Sequence, residues 1–159
     1  MKLNKILKNT LLIVVACFAL SACATSKKST GQMQGDVYTG TDTVEYLASG
    51  VPDRVFFATN ESVLTTASRD TLRKQAAWLR KNSDINVVLE GHADERGTRE
   101  YNLALGERRA NSAKDYLMTY GVSSDRITVI SYGKERPVDS GSNPLALSKN
   151  RRSFTVKAN

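Results

Sequence analysis

Between residues 53 and 157 the spacing of apolar positions switches back and forth between periods of two and of three to four, and each switch marks an element. Arg54-Val55-Phe56-Phe57 is a short β-rich run, after which Ser68 to Lys81 carries Leu72, Ala76 and Leu79 at helical spacing. Ile85, Val87 and Leu89 alternate with Asn86 and Glu90 and predict a second strand ending at Gly91. From about Thr98 to Tyr120 the stripe Leu103, Gly106, Ala110, Ala113 and Leu117 predicts a long amphipathic helix, with Gly121 as its stop. Arg126 to Ser131 reads as a third strand and Arg152 to Val156 as a last one. Between them Asn143-Pro144 has the form of an N-cap followed by proline at the first helical position. Strand, helix, strand, helix, strand, short helix, strand is the order of an α/β two-layer sandwich, with helices packed on one face of a mixed four-stranded sheet.

The first 50 residues follow other rules. Lys2, Lys5 and Lys8 precede an apolar run from Leu11 to Leu20, and Leu20-Ser21-Ala22-Cys23 closes it with small residues. The run is shorter than the roughly 20 residues a spanning helix needs. It resembles a bacterial lipoprotein signal, which implies that residues 1–22 are removed and that Cys23 carries acyl chains such as palmitate. Each buried methylene of such chains contributes about 0.8 kcal/mol, so several chains anchor a protein firmly to a membrane. Ala24 stands where an aspartate would signal inner-membrane retention, so the resemblance favours the outer membrane, with the folded part in the periplasm. The stretch 23–50 is rich in Ser, Thr, Gly and Gln and is expected to be a tether, with Val44, Tyr46 and Leu47 as a short piece able to dock. A coil of that length spans roughly 30 Å. The folded domain is then expected over residues 51–159.

Charge and cysteine content narrow the chemistry. The formal charge of +7 falls to +4 once the three lysines of the signal leave. Cys17 leaves with the signal and Cys23 is committed to lipid, so no internal disulfide can form and stability rests on a hydrophobic core. With one histidine and no free thiol, a structural zinc lacks ligands. No metal or other cofactor is expected. Lys149, Arg151 and Arg152 with Arg108 and Arg109 form a basic cluster, yet an exported lipoprotein has no nucleic acid as its normal partner.

The candidate chemistry gathers in GHADERGTREYN, residues 91 to 102, and in the helix after it. His92 and Asp94 lie just past the second strand, where side chains can face solvent, while Gly97 relaxes the turn and Thr98 can cap the helix. Leu105 and Arg109 are four apart and share a flank offset from the core stripe. A leucine and an arginine there, near an aspartate, suit a zwitterion. The bland alternative is that Asp94 caps a turn and Arg109 forms a surface ion pair with Asp94 or Glu107.

GHADERGTREYN, LGERRANSAKDYL from Leu105, VISYGKERP from Val129 and SKNRR from Ser148 together resemble the peptidoglycan-associated lipoproteins, and more loosely the wider OmpA C-terminal-like family. The likeness runs over about residues 53 to 157. It implies an OmpA-like fold and noncovalent binding of peptidoglycan through the diaminopimelate of the stem peptide, in a Tol-Pal system that includes TolB and serves envelope integrity and cell division. It places the ligand's ammonium on Asp94 and its carboxylate on Arg109, with Leu105 lining the pocket.

One departure concerns the end of the first strand. Relatives carry Phe-x-Phe-Asp there, whereas this chain has Phe57-Ala58-Thr59-Asn60, so Asn60 keeps the contact only if backbone amides make it. Strand alternation sends Arg151 and Arg152 to opposite faces, and only one of them can line the pocket. Two other classes of function stand beside the wall anchor: an envelope adaptor that binds proteins, and a cell-wall hydrolase. The hydrolase needs a zinc histidine cluster, a Cys-His pair or a pair of carboxylates with one raised pKa. The chain has neither of the first two, and no G-x-S-x-G turn.

Overall fold

A computed structural model describes residues 33–40 and 46–158. Its helices begin at side chains that bond a free N–H of the first turn. Thr65 Oγ1 accepts from the Ser68 N–H (3.1 Å) ahead of α1 (Thr66–Lys81), and Thr98 Oγ1 from the Tyr101 N–H (3.2 Å) ahead of α2 (Arg99–Thr119). Asn143 caps α3 (Pro144–Asn150) in the same way, with the expected proline in its first turn. α2 ends as Gly121 takes a φ of +83°, which lets its N–H reach Met118 O (2.9 Å) and the Val122 N–H reach Leu117 O (3.2 Å). Val122 is thereby turned into the core.

Upstream of the helices, β1 (Met33–Gln34) pairs with β2 (Val37–Tyr38) and β3 (Tyr46–Ala48) with β4 (Val51–Pro52), as two small antiparallel hairpins. Both reach into the stretch expected to be a plain tether. The reason is two side chains: Tyr38, 2% exposed, meets the Phe56 ring edge-on with centroids 4.7 Å apart, and Leu47 is buried. Burying one such residue contributes about 1.5–3 kcal/mol, enough to order a short segment whose average composition is polar. Tyr46 is exposed, and Val44 lies outside the described residues.

The main sheet contains β5 (Arg54–Phe56), β6 (Val87–His92), β7 (Ile127–Gly133) and β8 (Arg152–Lys157), in the order β5-β8-β6-β7. β8 runs antiparallel to both neighbours, and β6 and β7 run parallel, the crossover between them being α2. Leu72, Ala76 and Leu79 of α1 and Ala110, Ala113 and Leu117 of α2 bury against Val55, Val87, Leu89 and Ile127 of the sheet. Val88, Ile130, Phe154 and Val156 alternate to the other face and stay half-buried or exposed. The mixed sheet with helices on it is the fold class the periodicity predicts.

One contact sets the height of α2 above the sheet. A Cβ on Gly91 would stand 1.8 Å from Gly106 O, and one on Gly106 would stand 2.4 Å from Ser131 Oγ. Two glycines thus let helix and strand backbones touch at the end of β6. On this part of α2 the buried stripe is Asn102, Leu105, Gly106, Arg109 and Ala110, and Leu103 is only half-buried.

Candidate functional site

With α2 pressed on β6, Arg109 reaches over the strand end into the chain beyond β5. Its Nη1 donates to His92 O (2.8 Å), Nη2 to Ala58 O (3.0 Å) and Nε to Glu61 O (2.8 Å), and the guanidinium carbon lies 5.3 Å from the Phe57 ring centroid. Arg109 is fully buried, as are Phe57 and Leu105. Burial, and then the nearby charge of Arg151, push its pKa down to about 10 while Asp94 pulls the other way, so it remains a cation at neutral pH. It ties the 58–61 loop, the end of β6 and α2 together.

Asp94 follows β6 and is 6% exposed. Arg96 donates to it three times, through its backbone N–H to Oδ1 (3.2 Å), Nε to Oδ1 (3.4 Å) and Nη2 to Oδ2 (2.7 Å), and Arg151 Nη1 donates to Oδ2 at 3.3 Å. Burial alone would raise the Asp94 pKa, but these bonds outweigh it and hold the carboxyl below the usual range. Asp94 is an anion at neutral pH.

Arg151 lies between α3 and β8 and is itself 3% exposed. Its Nε donates to Phe57 O (3.1 Å), its own carbonyl accepts the Phe57 N–H (2.9 Å), and its Nη2 donates to the backbone carbonyl of Asp36. Arg152 turns the other way, where Nη2 donates to Arg136 O (3.2 Å). Alternation therefore separates the two arginines, and Arg151 is the one beside Asp94. A groove of about 240 Å³ opens above this cluster, lined by Thr59, Asn60, Arg96, Gly97 and Tyr101. Asn60 is exposed and adopts φ +57°, a left-handed conformation that asparagine tolerates better than most residues.

Three expectations need correction. His92 does not face solvent: it is the last residue of β6, 1% exposed, because the sheet extends further than its alternation suggests. Its ring lies 5.6 Å from that of Tyr132 and its Nε2 3.6 Å from Glu90. Arg109 does not form the surface ion pair of the bland alternative, and three of its N–H groups go to carbonyls. The guanidiniums that bond Asp94 belong to Arg96 and Arg151. Of the residues expected at the pocket, Asn60 lines this groove, whereas Leu105, Asp94, Arg109, Phe57, Arg151 and Arg152 do not. Cys23 lies outside the described residues.

Sequence reasoning missed Arg96, Thr59, Tyr101 and Asp36. Arg96 was within reach, since an aspartate two residues before it readily accepts its N–H in a turn. Asp36 was not, being 115 residues from Arg151. Among the described residues, no three His, Cys, Asp or Glu side chains gather as metal ligands, and no helix is long and apolar enough to cross a membrane.

Residues 56–151 match the model of the OmpA family. The "Peptidoglycan-associated lipoprotein" of Brucella melitensis is 43% identical over 152 residues, covering 91% of this chain and 90% of that one. The chain belongs to the OmpA family, among its peptidoglycan-associated lipoproteins. The protein of the same name from Mesorhizobium japonicum is 41% identical over 92% of this chain and 89% of its own. The crystal structure of the peptidoglycan-associated lipoprotein from Burkholderia pseudomallei is similar at 32% identity and a TM-score of 0.65, over 67% of this chain and 90% of that one. The C-terminal domain of Helicobacter pylori MotB shares the fold at 18% identity, TM-score 0.63, over 67% of this chain and 84% of that one.

Proposed function

We propose that this chain is an outer-membrane lipoprotein, acylated at Cys23, whose periplasmic domain binds peptidoglycan noncovalently through the diaminopimelate of the stem peptide. The observation that carries the reading is Asp94: a nearly buried carboxylate, kept ionised by the guanidiniums of Arg96 and Arg151, the first of which lines an open groove. Such a group favours an ammonium ion that can share it. The free end of diaminopimelate has an ammonium and a carboxylate on one carbon, so an acid and a cation side by side read both charges. Charge-assisted hydrogen bonds contribute roughly 1.5–3 kcal/mol each, which makes the second charge decisive for selectivity.

The roles divide by accessibility. Asp94 takes the ammonium. Arg96, half exposed, is the cation free to turn toward a ligand carboxylate, and Asn60 and the Thr59 N–H stand on the same rim. Arg109, Phe57 and Leu105 form the floor and hold the loop carbonyls in place, and Arg151 fixes Asp94 from behind. The names of the relatives, each a peptidoglycan-associated lipoprotein along nearly its whole length, support the same reading, as does the lipoprotein-like N-terminus. The Tol proteins, TolB among them, are the protein partners this role implies, in an assembly that joins outer membrane to wall during division.

The test is selectivity. Full-length protein in detergent, titrated with a stem peptide ending in diaminopimelate, should bind at least about tenfold tighter than to the lysine peptide, which lacks the second carboxylate. Equal affinity for the two, or binding to neither, overturns the proposal.

A further inference from the structure

The β1–β2 hairpin already delivers a carboxylate to the rim of the groove. Asp36 sits in its turn, after Gly35 at φ +66°, and its Oδ2 accepts the Thr59 N–H at 2.7 Å. The same oxygen lies 3.9 Å from Arg151 Nη2, and that nitrogen donates to the Asp36 backbone carbonyl. Thr59 is also tied to Arg96, whose Nη2 donates to its Oγ1 at 3.3 Å. One carboxylate from the N-terminal segment thus rests on the Thr59 N–H and near the guanidinium of Arg151, which also bonds Asp94. These are the kinds of donor that a ligand carboxylate seeks.

We propose that the β1–β2 hairpin is an internal competitor for the stem-peptide groove, with Asp36 standing in for a ligand carboxylate until the peptide displaces it. The inference rests on the reading of the groove given above and adds its regulation. Asp36 remains an anion at neutral pH, since the Thr59 N–H holds its carboxyl below the usual range. Its side chain is half exposed, so water screens the contact and its release costs little. Tyr38, buried at the far end of the hairpin, keeps Asp36 beside the groove in either state. Because the competitor is on the same chain, its effective concentration at the site is high, and even a weak contact lowers the apparent affinity for peptide.

Full-length parent, Asp36→Ala and Asp36→Asn would be titrated in detergent with the diaminopimelate peptide. Asp36→Ala should bind several-fold tighter, and Asp36→Asn should fall between, since its amide oxygen can still accept the Thr59 N–H without the charge. Unchanged affinity overturns the inference. Weaker binding by Asp36→Ala does so as well, because Asp36 would then belong to the ligand's own contact surface. In the parent, saturating peptide should also speed amide hydrogen exchange in residues 33–38, and unchanged exchange there overturns the competition. A parent that binds no peptide removes the proposed function and this inference together, whereas a binding parent whose affinity ignores Asp36 removes the inference alone.

Discussion

Arg109 and Arg151 are both buried, and each lies within the field of the other's charge, yet they belong to two differently built regions. Arg109 spends its donors on three backbone carbonyls from two segments. Arg126 does the same at the opposite end of the sheet, donating to the carbonyls of Leu79, Asn82 and Ile85. Arg151 instead divides its donors between carbonyls and the carboxylate of Asp94, and Arg96 beside it is half exposed. A guanidinium on carbonyls holds chain segments together and would leave those carbonyls unpaired if it turned to a ligand. One on a carboxylate near solvent can trade its partner for a ligand's group at small cost. In the proposed function the first region is the floor of the groove and the second is its working rim.

The largest effect separating the two should come from Arg109→Ala. It leaves the carbonyls of Ala58, Glu61 and His92 without their donor, and at about 1–3 kcal/mol for each buried unsatisfied group the loss of unfolding free energy should reach at least about 3 kcal/mol. Urea unfolding reads this directly. Arg109→Lys should recover only part, since one ammonium cannot span three carbonyls that a planar fork reaches together. Full stability with loss of peptide binding would break the comparison and make Arg109 a ligand residue.

A smaller effect comes from pH, through His92 and Asp94, two residues apart on either side of the strand end. The His92 imidazole is pushed down to about 3 by burial and by the charges of Arg152, Arg136 and Arg54. The unfolded chain takes up a proton below its ordinary value near 6.5 and the folded chain does not. Stability therefore falls as pH drops from 6.5 toward 3, by up to about 1.4 kcal/mol per unit, or roughly 2 kcal/mol at pH 5. His92→Gln should flatten the slope of unfolding free energy between pH 7 and 5. The same slope in parent and variant would show that the imidazolium is held by Glu90.

The smallest effect on stability, and a large one on binding, is expected for Asp94→Asn. The amide keeps an acceptor for the Arg96 N–H but removes the nearer of the two carboxylates beside Arg151, so about 1–2 kcal/mol should be lost at pH 7. Because the folded pKa of Asp94 lies below the ordinary 3.8, its contribution is present above pH 4 and fades as pH falls through the folded value. Peptide affinity should drop more than tenfold. Stability unchanged at pH 7, with affinity also unchanged, would remove Asp94 from the rim.

Much of the fold is legible in the sequence because it is encoded locally. The threonines before α1 and α2, the Asn143-Pro144 pair, Gly121 and the Leu72 to Leu79 and Ala110 to Leu117 stripes each act within a few residues of themselves. Asp94, Arg109 and Arg151, which the sequence motifs single out, do converge on one corner. Their pairing is not legible. Counting around a helix puts Leu105 and Arg109 on a flank, but it does not show that Gly91 and Gly106 lower that flank onto the strand and bury it.

The sequence by itself determined the lipoprotein-like leader, the alternation of strands and helices, the helix ends and the family, because each is written in contiguous residues. The tertiary structure alone decided which guanidinium faces Asp94, that His92 is buried, and that the segment read as a tether returns through Tyr38 and Asp36 to the groove. Those outcomes depend on contacts between residues separated by as much as 115 positions, and such contacts are fixed by packing and by the competition of donors for acceptors, which no local pattern records.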